Sequence, residues 1–184
     1  MKTRNLLIYI LLLMLGAHPA DAQVEQTLKE LDKYIETSDT YIKEKNSRIN
    51  RLRRRLQEIS AEKQELTAFD LNYELFEEYQ SFKYDSAYFY ANRSLNIARG
   101  LNDADKIVRA QCAIVFCHMS SGLFVEAFNE MEKVDISETS IMTRANFYAL
   151  YNRLYYDASD FNNSEEWSHL YTELGTAYAD SLMA

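Results

Sequence analysis

Few side chains in this sequence could carry proton chemistry. His118 and His169 are the only imidazoles beyond the first twenty-two residues, and Asp157, Asp160 and Glu166 are carboxylates that could share a pocket with either. General acid–base work needs such groups within hydrogen-bond reach of one another. No motif supports that arrangement: H-E-x-x-H, a Gly-rich phosphate loop and Ser or Cys nucleophile signatures do not occur. His118 falls where a repeat helix places an aromatic, so packing is its expected role. Cys112 and Cys117 lie five apart in a helical pattern, where their side chains point about 140° apart, so a disulfide between them would unwind the helix. Buried, inert thiols are expected there. The expectation is a protein that is not an enzyme and uses no metal and no cofactor.

Binding chemistry is better represented. Arg48, Arg51, Arg53, Arg54 and Arg55 form a basic cluster in an otherwise acidic chain. They can exchange salt bridges with Glu44 and Glu58, or Arg51, Arg54 and Arg55 can dock an acidic partner or anionic lipid. Aromatic residues are in excess towards the C-terminus, and Tyr148, Tyr151 and Tyr155 share one helical face. Core packing is the ordinary use of such a face. A concave surface that holds a protein or peptide partner is the alternative, and these three are the candidate contacts.

The elements that position these residues follow from composition. Lys2 and Arg4 precede an apolar run from Leu6 to Gly16 and then Ala20-Asp21-Ala22, the pattern of a signal peptide over residues 1–22. A run of about eleven residues is too short to span roughly 30 Å of hydrocarbon. The mature chain is expected to start at Gln23 and to be periplasmic or exported. Pro19 is the only proline, and Gly100, Gly122 and Gly175 are the glycines left after the leader, so β-turns are scarce and an all-α fold is expected. The net charge of −8 argues against nucleic-acid binding by this chain alone. Membrane contact is expected only through the leader or a missing C-terminal part.

Residues 24–66 read as one long coiled-coil-like helix. Leu28, Leu31, Ile35, Ile42, Ile49, Leu52, Leu56, Ile59 and Leu66 fall on alternating steps of three and four, with Ser38, Lys45 and Lys63 completing twelve a/d positions. The polar positions between Ser38 and Ser47 predict a bend or break. Ile49, Leu52, Leu56 and Ile59 are the uninterrupted part of the seam, and a homodimer through the coiled coil is expected there. Residues 68–184 read as a tetratricopeptide-like helical-hairpin solenoid. Gly122, Phe124, Ala127, Met131 and Val134, with Ile114 before them, fit the offsets of the repeat, and Ala87, Ala91 and Leu95 restate it forty residues earlier. Ala87, Ala127 and Gly122 are expected where helices cross too closely for larger side chains. Expected caps are Asp85, Asn102 or Asp103, and Asn163 with Glu166, and Gly100 is the expected left-handed terminator.

Leu31-Asp32, Tyr41 to Lys45, Arg48-Ile49, Tyr73-Glu74-Leu75, Tyr79 to Ala87, Tyr148 to Tyr151 and Leu154 to Asp157, after a leader ending near Ala-Gln, carry a further signal. In order and spacing they resemble the amino-terminal part of a domain-of-unknown-function family of Bacteroidota helical-repeat regulators. The resemblance covers the mature chain. It implies an exported tetratricopeptide-like sensor region, followed in full-length members by a transmembrane helix and a cytoplasmic helix-turn-helix. The present sequence carries neither of the last two, which makes it an expected N-terminal fragment of a membrane-spanning transcriptional regulator. The competing expectation is a freestanding periplasmic scaffold that oligomerises through its coiled coil.

Overall fold

The computed structural model describes residues 19–60, 64–162 and 164–183, and among these every regular element is an α-helix. They are α1 (Pro19–Ser60), α2 (Glu65–Tyr79), α3 (Tyr84–Leu101), α4 (Ala104–Ser120), α5 (Phe124–Met131), α6 (Ile141–Phe161) and α7 (Glu165–Met183). Residues 1–18 of the expected leader lie outside the described set. Among the described residues, no helix is long and apolar enough to cross a membrane. The chain divides into two units, 1–47 and 48–184.

The first unit's described residues belong to α1. Thr27, Thr37, Ser38 and Ser47 each donate a hydroxyl hydrogen bond to a carbonyl three or four residues back, at 2.6–3.0 Å. Their polar groups are satisfied inside the helix, so the break expected between Ser38 and Ser47 does not form and α1 runs through. Its apolar residues here are exposed: Leu28 54%, Leu31 51%, Ile35 60% and Ile42 54%.

The second unit is a stack of helical hairpins. α2 pairs with α3, α3 with α4, α4 with α5, and α6 with α7, while α4 also packs on α6. One core joins Ile49 and Leu56 of α1 to Phe69, Leu71, Leu75 and Phe76 of α2 and to Ala87, Tyr90, Ala91, Leu95 and Ala98 of α3. Leu52 and Ile59 pack against the same core. This corrects the expected dimer seam: Ile49 is 4% and Leu56 8% exposed within a single chain. The seam also stops sooner than its period suggests. α1 ends at Ser60, and Leu66 sits exposed in the first turn of α2. Lys63 and Asn163 lie outside the described residues.

Small residues do the work expected of them at two of three positions. Ala87 and Ala127 are buried where helices meet, with Ala91, Leu95 and Ile114 in the same cores. Gly122 is not a close crossing. A Cβ there would meet nothing within 4 Å, and its φ of +75° shows that the turn needs glycine for its backbone. The close crossing belongs to Gly175, where a Cβ would lie 3.3 Å from Tyr155 Cβ and Tyr156 Cε2.

Helix ends were only partly legible. Asp103 caps α4 by accepting from Lys106 N at 3.0 Å. The left-handed terminator of α3 is Asn102 at φ 52°, not Gly100, and Asp85 lies in the first turn of α3 because Lys83 holds the cap position. Asn can take this conformation with little penalty, so the helix gains two residues before it turns. Ser140 caps α6 and is itself held by Asp105, whose Oδ1 accepts from Ser140 N and Oγ at 2.9 Å each.

Two outcomes follow. Leu56→Ala should destabilise the chain by about 2–5 kcal/mol in urea unfolding, as for a buried core leucine; a loss within error would mean that α1 is not part of this core. Hydrogen bonds from Thr143 and Ser140 hold the Asp105 carboxyl below its ordinary 3.8. A depressed carboxyl contributes stability above the ordinary value, and the contribution fades as pH falls through the lowered one. Asp105→Asn should therefore flatten the acid side of a stability–pH curve and leave its shape above pH 5 unchanged, as thermal melts across pH 2–6 would show.

Candidate partner-binding surface

The arginines of α1 are sorted by the helix onto two flanks of the buried Ile49–Leu56 line. On one flank Arg48, Arg51, Leu52 and Arg55 meet Glu74 and Glu78 of α2 around a depression of about 330 Å³. Arg48 Nε donates to Glu78 Oε1 at 2.9 Å. Arg51 and Arg55, expected as partner contacts, thus line a cleft whose other wall already supplies carboxylates. On the other flank Arg53, Leu56 and Gln57 face Phe89, Tyr90 and Arg93 of α3 across a cleft of about 390 Å³. Asn50, Arg53, Arg54 and Gln57 line an adjoining groove. None of the residues lining these two is acidic.

Local helix geometry builds the second cleft. Arg53 and Gln57 are one turn apart on α1, and Phe89 and Arg93 one turn apart on α3, so each helix offers one guanidinium and one further side chain to the same space. Tyr90 forms the buried floor. Its ring stacks on Tyr79 at 5.7 Å with the planes 4° apart, and Phe89 meets it edge-on at 5.1 Å. Burial raises the pKa of the Tyr79 phenol, with Tyr90 adding to the rise and Arg53 opposing it. Phe89 remains 54% exposed. Two guanidiniums around an exposed ring suit a ligand that combines a carboxylate with an apolar or aromatic body. Arg54, a candidate contact from the sequence, lines the adjoining groove. Arg53 was read only as part of the cluster, and Arg93 was missed, although the i, i+4 pairing with Phe89 is visible in sequence.

The tyrosine face lies elsewhere and is occupied. Tyr151 is buried, stacking on Tyr178 of α7 at 4.1 Å and on Tyr155 at 5.3 Å. Tyr155 also meets Phe128 at 4.9 Å, and Tyr148 lies 6.2 Å from Tyr178. Burial raises the Tyr151 phenol far above its ordinary range, with Tyr155 adding to the rise. These rings join α6 to α7, which is the core-packing use of the face. Polar bonds finish the joint: Asn152 Nδ2 donates to Gly175 O at 2.8 Å, and Ser159 Oγ lies 2.8 Å from Ser168 Oγ.

His118 is packed, 5.3 Å from the Tyr88 ring and with Nδ1 3.3 Å from Tyr84 Oη. His169 lies on the surface, 3.7 Å from an exposed Glu173 carboxylate. Burial pushes the Cys112 and Cys117 thiols up to about 12.

Hairpins of this size, alanine crossings and a turn glycine at Gly122 are the features of tetratricopeptide repeats, and the comparison with protein families agrees. Residues 35–184 match the family described as SusR N-terminal TPR domain. The chain belongs to that family. No curated protein and no solved structure matches it. The SusR-type match begins inside α1, so the part of that helix that joins the repeat core lies within the family domain. TPR folds generally mediate protein–protein contact, which suits a cleft of guanidiniums and rings. In this SusR-type domain Gly175 sets how closely the last helix approaches. Gly175→Leu should force α7 off Tyr155 and Tyr156, and its expected signature is faster chymotrypsin cleavage after Trp167, Tyr171 or Tyr178 with the remaining helices intact; unchanged digestion would contradict the close crossing.

Proposed function

We propose that this chain is the exported N-terminal sensor module of a SusR-type, membrane-spanning regulator, and that the Arg53–Arg93 cleft receives an acidic group of a protein or peptide partner. The observation that carries the reading is the cleft itself: in a protein of net charge −8, two arginines from different helices line one cleft with an exposed Phe89, and no carboxylate is among the lining residues. Charge-assisted bonds to a carboxylate are each worth about 1.5–3 kcal/mol, enough to dominate a shallow site. Export rests on Lys2, Arg4 and the apolar run that follows them.

A fluorescein-labelled deca-glutamate peptide tests the cleft. Anisotropy should report binding that salt weakens, that deca-lysine does not reproduce, and that Arg53→Ala with Arg93→Ala reduces about tenfold or more. Arg51→Ala with Arg55→Ala should change it much less. Equal losses in the two double variants would reduce the effect to general charge and remove the cleft from the account. For export, alkaline phosphatase fused after Ala184 should be active in a bacterial host, and an inactive, cytoplasmic fusion would contradict it.

A further inference from the structure

We propose that the exposed half of the α1 seam, residues 24–45, forms a parallel two-stranded coiled coil with a second copy of this chain. Val24, Leu28, Leu31, Ile35 and Ile42 line one face of the helix, and each is 51–60% exposed in the single chain. A stripe repeating every 3.5 residues fits a long straight helix as its partner, and a helix with so little packed surface is marginal on its own.

Three observations select a second copy in parallel register. Position a holds Leu28, Ile35 and Ile42, and position d holds Val24, Leu31, Ser38 and Lys45. β-Branched side chains at a favour two strands. The flanking positions then decide direction. Position e carries Glu25, Asp32 and Asp39, and position g carries Thr27, Tyr34 and Tyr41. A parallel pair sets each g residue against the e residue five further along the other copy, so Thr27 meets Asp32, Tyr34 meets Asp39 and Tyr41 meets Asn46. The Tyr34 phenol can then donate to the Asp39 carboxylate and the Tyr41 phenol to the Asn46 side chain, while Thr27 already donates to the Gln23 carbonyl of its own helix. An antiparallel pair sets e against e and brings like charges together. Tyr34 and Tyr41 are 73% and 64% exposed, free of any competing core. Lastly, the continuation of the seam is already used, because Ile49 and Leu56 are buried in their own chain. The stripe of 24–45 is what remains to be covered, and its acidic flank disfavours an anionic lipid surface.

Cysteine crosslinking in the full chain tests this. Leu31→Cys, Ile35→Cys and Ile42→Cys are made singly, with Glu36→Cys on the outer face as control, and cells are oxidised with copper phenanthroline. The native thiols, Cys117 buried and Cys112 half-buried, are weakly acidic, and the parent chain reports any background from them. A covalent dimer of twice the chain mass should form at all three seam positions and not at Glu36. Leu31 and Ile42 are separated by roughly 16 Å along the helix, so an antiparallel pair cannot join like residues at both. Leu31→Asp with Ile35→Asp should make the chain monomeric in mass photometry, weakening association about 100-fold or more, while its helical circular dichroism persists. The proposal is overturned by a monomer throughout, by a dimer at only one position, by adducts with a different protein, or by a dimer that survives the Asp substitutions.

Discussion

The apolar seam of α1 is the constraint on which the rest of the fold turns. A helix with Leu or Ile at nearly every a/d position cannot leave that stripe in water, and each such residue is worth about 1.5–3 kcal/mol when fully buried. From Ile49 onward the stripe is covered by α2 and α3, and Ile49 and Leu56 share one core with Leu75, Ala87 and Ala91. A repeat array needs a terminal element with one apolar and one polar face. This part of α1 supplies it: Ile49 and Leu56 point in, and Arg54 and Glu58 are exposed.

The same burial sorts the charge. Fixing Ile49 and Leu56 inward fixes the rotation of α1, which sends Arg48, Arg51 and Arg55 towards Glu74 and Glu78 and sends Arg53 towards Arg93. One arginine flank is thereby matched within the chain. The other is left as a local positive site on an acidic protein, beside a ring that is half in water. Core packing and the candidate site are consequences of one rotational setting.

Much of this was legible in the sequence, within limits set by what a pattern reports. Helix content, the repeat hairpins, Asp103 as a cap and the inward Ala87, Ala91 and Ala127 all follow from spacing and propensity. Periodicity shows that a stripe must be covered but not by what, so Ile49, Leu52, Leu56 and Ile59 read as a dimer seam when their occupant is the chain's own α2 and α3. The tyrosine excess left two uses open, core packing and a concave surface, for a related reason. Gly175 lets α7 approach α6 closely enough for Tyr151 and Tyr178 to stack at 4.1 Å, and that approach depends on the crossing of two helices. Gly122 and Gly175 look alike in sequence, yet one is needed for its φ and the other for its missing Cβ. Arg93 was missed because its partner, Arg53, is forty residues away and reaches it only through the packing of α1.

The central claim is that one continuous helix has two occupants for its two halves, its own chain from Ile49 and another molecule before Lys45. Hydrogen–deuterium exchange along α1, at a series of chain concentrations, tests it most directly. Amides of 49–59 should exchange as slowly as those of α2 and α3 at every concentration, because their protection comes from the intramolecular core. Amides of 24–45 should exchange fast in dilute chain and slow as concentration rises. Uniform protection along α1 that does not depend on concentration, or fast exchange of 49–59 in dilute chain, would contradict the account.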